Sequence, residues 1–260
     1  ISLGLVGSEM CIRDRASSEI RVEALYNIAR RTLEFLKLPE EKLGVSMRII
    51  LFEQILASIA RREPRIIVDL ADDFIEAYNR TPGAATFDDI SKIIYEALRR
   101  YPYKNENSIK LLNMLFDPPE IEAAYESILK YLIGLAGRYR EEIASRVDFI
   151  VEVFRTIKEV AIAIENPRER YFAVDEAIKN LARLIMLIMP SIPREDYDAF
   201  AKILAAMFAT ERGDPLRDIL YTIIKAKEIP ELFKLVTSYL SKITLPEPHI
   251  SLLRQHGIFS

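Results

Sequence analysis

Between Pro119 and Pro167 the chain contains no proline, and its apolar residues recur with helical spacing. They fall at Ile121, Tyr125, Ile128, Leu132, Leu135, Tyr139, Ile143, Val147, Ile150, Phe154, Ile157, Ala161 and Ile164. Every step is three or four residues, the spacing of one buried face of a helix. A single helix from Pro118 to Glu165 would be about 70 Å long at 1.5 Å per residue, too long for a compact domain. Gly134 and Gly137 interrupt the seam, and a glycine inside a helix costs about 1 kcal/mol. The spacing therefore predicts two helices that meet near Gly137 to Arg140. Asp117-Pro118-Pro119-Glu120 reads as the start, with aspartate capping and proline in the first turn.

The same reading applies along the rest of the chain. Ser17 or Ser18 is expected to cap a first helix. The stretch from Leu43 to Ala60 is apolar nearly all round, through Val45, Met47, Ile49, Ile50, Leu51, Phe52, Ile55 and Leu56. A helix apolar on every side is expected to be covered on every side and to lie centrally. Asn166-Pro167-Arg168-Glu169 is a second cap, proline, glutamate start. The fold predicted is all-α: about eleven antiparallel helices joined by short loops. They would form either an irregular, HEAT-like α-solenoid or a multi-helix bundle. No tetratricopeptide, ankyrin or leucine-rich signature recurs.

The segment Leu5-Val-Gly-Ser-Glu-Met-Cys-Ile-Arg-Asp-Arg15 has no helical period. It resembles the translation of a transposase adapter used to prepare DNA libraries. Residues 1–15 are therefore expected to be non-native, as in a metagenomic fragment, with natural sequence continuing further upstream. That reading sets aside Cys11, the one cysteine, and with it any thiol chemistry or disulfide. Residues 16–245 are expected to form a single helical-hairpin domain. Residues 246–260 hold both histidines and are expected to be a loosely held tail.

Charge and composition limit the functional classes. The net charge is -3 with both signs interspersed, which disfavours a dedicated nucleic-acid binder. No apolar run approaches the roughly 18 residues of a membrane span, so a cytoplasmic protein is expected. Abundant isoleucine, arginine and glutamate with little glutamine or cysteine gives a thermophile-like composition.

One pattern carries possible enzymatic chemistry. Asp69, Asp72 or Asp73, and Glu76 lie three to four residues apart and would share one helix face. Such a row can hold magnesium and, through it, a diphosphate. The Asp72-Asp73-x-x-Glu76 spacing resembles the aspartate-rich motif of all-α isoprenoid synthases, which would imply a magnesium-dependent enzyme. That family's motif ends in aspartate and is followed by paired arginines, whereas only Arg80 stands near here. The alternative is a solvated acidic face. No glycine-rich phosphate loop, Glu-x-x-His pair or zinc spacing is present. The basic pairs Arg61-Arg62 and Arg99-Arg100 could form an edge for nucleic acid or an acidic partner. As helix-closing residues they also complement the macrodipole.

The reading favoured by this pattern is a non-catalytic, cofactor-free helical scaffold or binding protein with a protein partner. The alternatives are the magnesium-dependent enzyme, and the C-terminal helical part of a longer protein.

Overall fold

The computed structural model describes residues 3–38, 42–80, 84–170 and 174–259, and among them every regular element is helical. The fold class is all-α, as the three-and-four spacing dictates. The chain divides into two compact units, Ile1–Pro119 and Glu120–Ser260, where one domain was expected. The division falls at the Pro118-Pro119 pair. Proline lacks the amide a continuing helix needs, and α8 begins only at Ile121, with Glu120 at its cap position and no side-chain cap.

In the first unit, α1 (Leu3–Leu36) runs through the serines expected to begin it. Next come α2 (Val45–Ile50), π-helical turns (Leu51–Leu56) and α3 (Ala57–Arg62) in one continuous run. Then follow α4 (Pro64–Asp69), α5 (Ala71–Asn79), α6 (Ala84–Arg100) and α7 (Glu106–Met114). Asn105 caps α7 reciprocally: Ser108 N donates to Asn105 Oδ1 and Asn105 N to Ser108 Oγ, both at 2.9 Å. Leu33, Leu36, Leu56, Ile67, Phe87 and Ile90 are fully buried, and Phe52 meets Phe74 edge-on at 6.2 Å.

The packing order is regular. Taking α2–α3 as one helix and α4–α5 as another, each helix of this unit packs against the next and the next but one. The same order holds in the second unit. There α8 (Ile121–Ala144), α9 (Val147–Ala163), α11 (Glu176–Ile188), α12 (Tyr197–Thr210), α13 (Gly213–Ala226) and α14 (Pro230–Lys242) follow in turn. The short α10 (Pro167–Arg170) sits between α9 and α11. Helix α11 packs on α8 and α13, and α12 on α9 and α14, besides their chain neighbours. Thr222 ties α13 to α11 by donating from Oγ1 to the Ala182 carbonyl at 3.2 Å. Antiparallel helices joined by short loops give this order, in a hairpin stack or a bundle alike.

The long seam breaks where its glycines suggest, at a kink inside α8, and again further along. Tyr139 leaves helical geometry (φ -111°, ψ 30°) within α8, while the chain separates into α8 and α9 only at Ser145 and Arg146. The Leu43–Ala60 stretch is not covered on every side. Phe52, Leu56, Ile59 and Ala60 are buried, but Met47, Ile49 and Ile50 are exposed. The physical reason is position: among the described residues, the run meets α1, α4 and α6 through its π-helical turns and α3 rather than through α2. The expected loose tail instead contains α15 (Glu247–Gln255), with His249 and Leu253 buried four residues apart. Gly257, at φ 61°, closes it, and Ile258 N returns to the Leu253 carbonyl at 2.9 Å. Composition alone did not reveal that inner face.

Arg48 holds the first two helices together. It is buried, and its guanidinium donates to the carbonyls of Leu36 at 2.8 Å, Leu43 at 3.2 Å and Leu38. Helix α1 has no basic residue in its own last turn, so a cation from the next helix satisfies its end. We expect Arg48→Met to lower unfolding free energy in urea by about 2–4 kcal/mol, because three carbonyls lose a charged donor. Arg48→Lys should recover only part, since an ammonium cannot reproduce the planar fork.

Candidate functional site

The acidic row is split by the backbone. Asp69 is the last residue of α4, Leu70 departs from helical geometry (φ -99°, ψ 22°), and Asp72, Asp73 and Glu76 lie on α5. Each carboxylate has a cationic partner. Arg65 meets Asp69 at 3.1 Å and Lys110 of α7 meets Asp72 at 3.0 Å. Lys37, just past α1, reaches Asp73 at 2.7 Å and Glu76 at 2.6 Å, and Arg80 meets Glu76 at 3.1 Å. Hydrogen bonding to Asp73, then Glu76, raises the Lys37 pKa. Hydrogen bonding to Lys37, then Arg80, holds the Glu76 carboxyl below its usual range. The ammonium of Lys37 thus lies between the two carboxylates that a divalent ion would have to bridge. Among the described residues no three metal-ligating side chains converge. What the row does here is join α1 and α7 to α5.

A second acidic pair was not legible in the sequence. Asp89 on α6 hydrogen-bonds Glu53, which the π-helical turns carry. Burial, then the Glu53 charge and hydrogen bond, then Asp88 push the Asp89 carboxyl up to about 6, with Lys92 opposing. The two carboxyls come from distant parts of the chain, so no spacing announced them.

The basic pairs are brought together. Arg61 and Arg62 end α3, and Arg99 and Arg100 end α6. Arg100 bridges the two ends: Nη1 donates to the Arg61 carbonyl at 3.0 Å and Nε to Glu96 at 3.1 Å. Arg99 lies over the Tyr95 ring at 5.6 Å. Beyond α6, Tyr103 is 66% exposed and stands edge-on to the buried Tyr101 at 5.6 Å. Sequence reasoning passed over Tyr103, although Arg99-Arg100-Tyr101-Pro102-Tyr103-Lys104 carries the signal.

The buried histidine has a packing role among the described residues. His249 is buried edge-on to Phe208 at 5.4 Å, with Nε2 2.9 Å from the Glu211 carbonyl. A groove of about 590 Å³ between α11 and α13 includes Glu176, Lys179, Arg183, Tyr221, Lys225 and Glu228. Four of these form the pairs Lys179–Glu176 and Lys225–Glu228. No helix among the described residues is long and apolar enough to cross a membrane. Comparison with protein-family models, curated proteins and solved structures gives no match.

The Asp89 pair yields a pH dependence. An acid whose pKa rises on folding stabilises the fold while protonated. Its contribution is full below the unfolded value near 3.8 and is lost as pH rises through about 6. Asp89→Asn should flatten that decline and raise the melting temperature at neutral pH. Discounted for solvent screening, the gain is about 1 kcal/mol, or roughly 2–4 °C. Thermal melts of both proteins across this range check it.

Proposed function

We propose that this is a non-catalytic helical binding protein. Its first unit presents an open apolar end to a pair of amphipathic helices from a partner protein. One observation carries the reading. Of the ten large apolar side chains exposed among the described residues, six lie on α1 and α2: Ile20, Ile28, Phe35, Met47, Ile49 and Ile50. Elsewhere in the unit each helix is covered by its second neighbour as well as its first. The exposed side chains of α1 and α2 have no such cover among the described residues. Arg48, between Met47 and Ile49, is bonded to the Leu36 carbonyl beside Phe35, so the two exposed faces belong to adjoining segments. Stacks of helical hairpins ordinarily end in a polar face, and clustered exposed apolar surface marks an interaction site. The pairing of Asp69, Asp72, Asp73 and Glu76 with cations supports a structural role for the acidic row.

The same open end favours a second reading, in which these helices are the C-terminal part of a longer protein whose preceding hairpin covers them. Reading the gene upstream of the Ala16 codon from an intact contig separates the two. For the partner reading, we expect a photo-crosslinker placed at Phe35, and separately at Met47, to capture the same protein in cells that natively express the chain. A crosslinker at Lys158 of α9, in the other unit, should not capture it. Yields at 35 and 47 no higher than at 158 would sink the proposal.

A further inference from the structure

We propose a second interaction surface in the first unit: the edge where α3 and α6 end binds single-stranded nucleic acid. Three observations meet there. First, the edge has an excess of positive charge. Arg61, Arg62, Arg99 and Arg100 are all exposed, against Glu63 and Glu96 in the same turns, and Glu96 is bonded to Arg100. Second, the gathering is built. Arg100 donates across to the Arg61 carbonyl at 3.0 Å, fixing two helix ends side by side. Third, an aromatic ring stands at the same end of α6. Tyr103 is 66% exposed, follows Pro102, and is held edge-on by Tyr101, itself bonded through its hydroxyl to Asn105 Nδ2 at 3.1 Å.

The macrodipole accounts for arginines at the end of each helix. It does not account for two such ends being tied together, nor for a solvent-facing tyrosine beside them. Arginines that track phosphates and an aromatic face that takes a base are the two parts of a single-strand site. An acidic peptide would use the arginines and have no need of the ring, so the ring favours the nucleic acid. Here Arg62, Arg99 and the outer nitrogens of Arg61 contact phosphates. Arg100 positions them, and Tyr103 stacks on a base. The net charge of -3 makes this a local site with short reach rather than a chain-wide affinity for polyanions.

The test uses the full chain and fluorescence anisotropy with a labelled oligothymidine of about ten nucleotides, titrated across a salt series. We expect salt-sensitive binding. Arg62→Gln and Arg99→Gln should each reduce the slope of log affinity against log salt by about 0.7. Tyr103→Ala should weaken binding about tenfold, while Tyr103→Phe keeps it. Tyr103→Ala should also leave the binding of a poly-glutamate peptide unchanged, which separates lost stacking from lost fold. Absence of salt-dependent oligothymidine binding overturns the proposal. So does poly-glutamate binding as tightly as oligothymidine with Tyr103→Ala silent, a result that assigns the edge to acidic proteins instead.

Discussion

A helix whose apolar residues recur every three to four positions must have that face covered, and in this chain the cover comes from two helices at once. Within each unit a helix rests against its successor and against the helix after that. Hydrophobic burial is non-directional, so it does not by itself choose this order. Short connections return each helix beside the one before it, and the next hairpin then takes up the face still open. Arg48 and Thr222 supply the direction that burial lacks. One binds the carbonyls around the end of α1, and the other binds the carbonyl of Ala182 in the neighbouring helix. The exposed apolar side chains of α1 and α2 have no such cover among the described residues.

Charge in the first unit serves two different purposes. The carboxylates of α5 are met by Lys37 and Lys110, which come from other segments. An acidic row that looks ligand-like along the chain is thereby engaged in holding helices together. The arginines of α3 and α6 are gathered by a single backbone contact and remain exposed. Opposite charges thus have different uses: the acids, though largely exposed, pair with cations of the same fold, and the bases face solvent beside an aromatic ring. The functional proposals follow that asymmetry and the open apolar end.

The sequence showed which residues face inward because periodicity records burial directly. Ile128, Leu132, Leu135, Tyr139, Ile143 and Ile150 are all buried, as their spacing indicates. What it could not show depends on position in three dimensions. Met47 and Ile50 have the chemistry of core residues but lie on the side of α2 that no described helix covers. The tail reads as unusual in composition because it holds both histidines, yet His249 and Leu253 give α15 an inner face. Asp69 and Asp72 have helical spacing, but Leu70 breaks the helix between them. The candidate metal residues were visible as a pattern, while Lys37, which neutralises two of them, lies far away in the chain. The arginine pairs were visible singly, and only the fold tied them together.

The order of packing is the claim on which the open end and the arginine edge both rest. Methyl-labelled NMR spectroscopy measures it directly, through cross-relaxation between side chains of α11 and those of other helices. The account predicts cross-peaks from α11 methyls to both α8 and α13, its second neighbours once α10 is set aside. Cross-peaks confined to the adjacent α9 and α12 would contradict it, and would describe hairpins that do not stack.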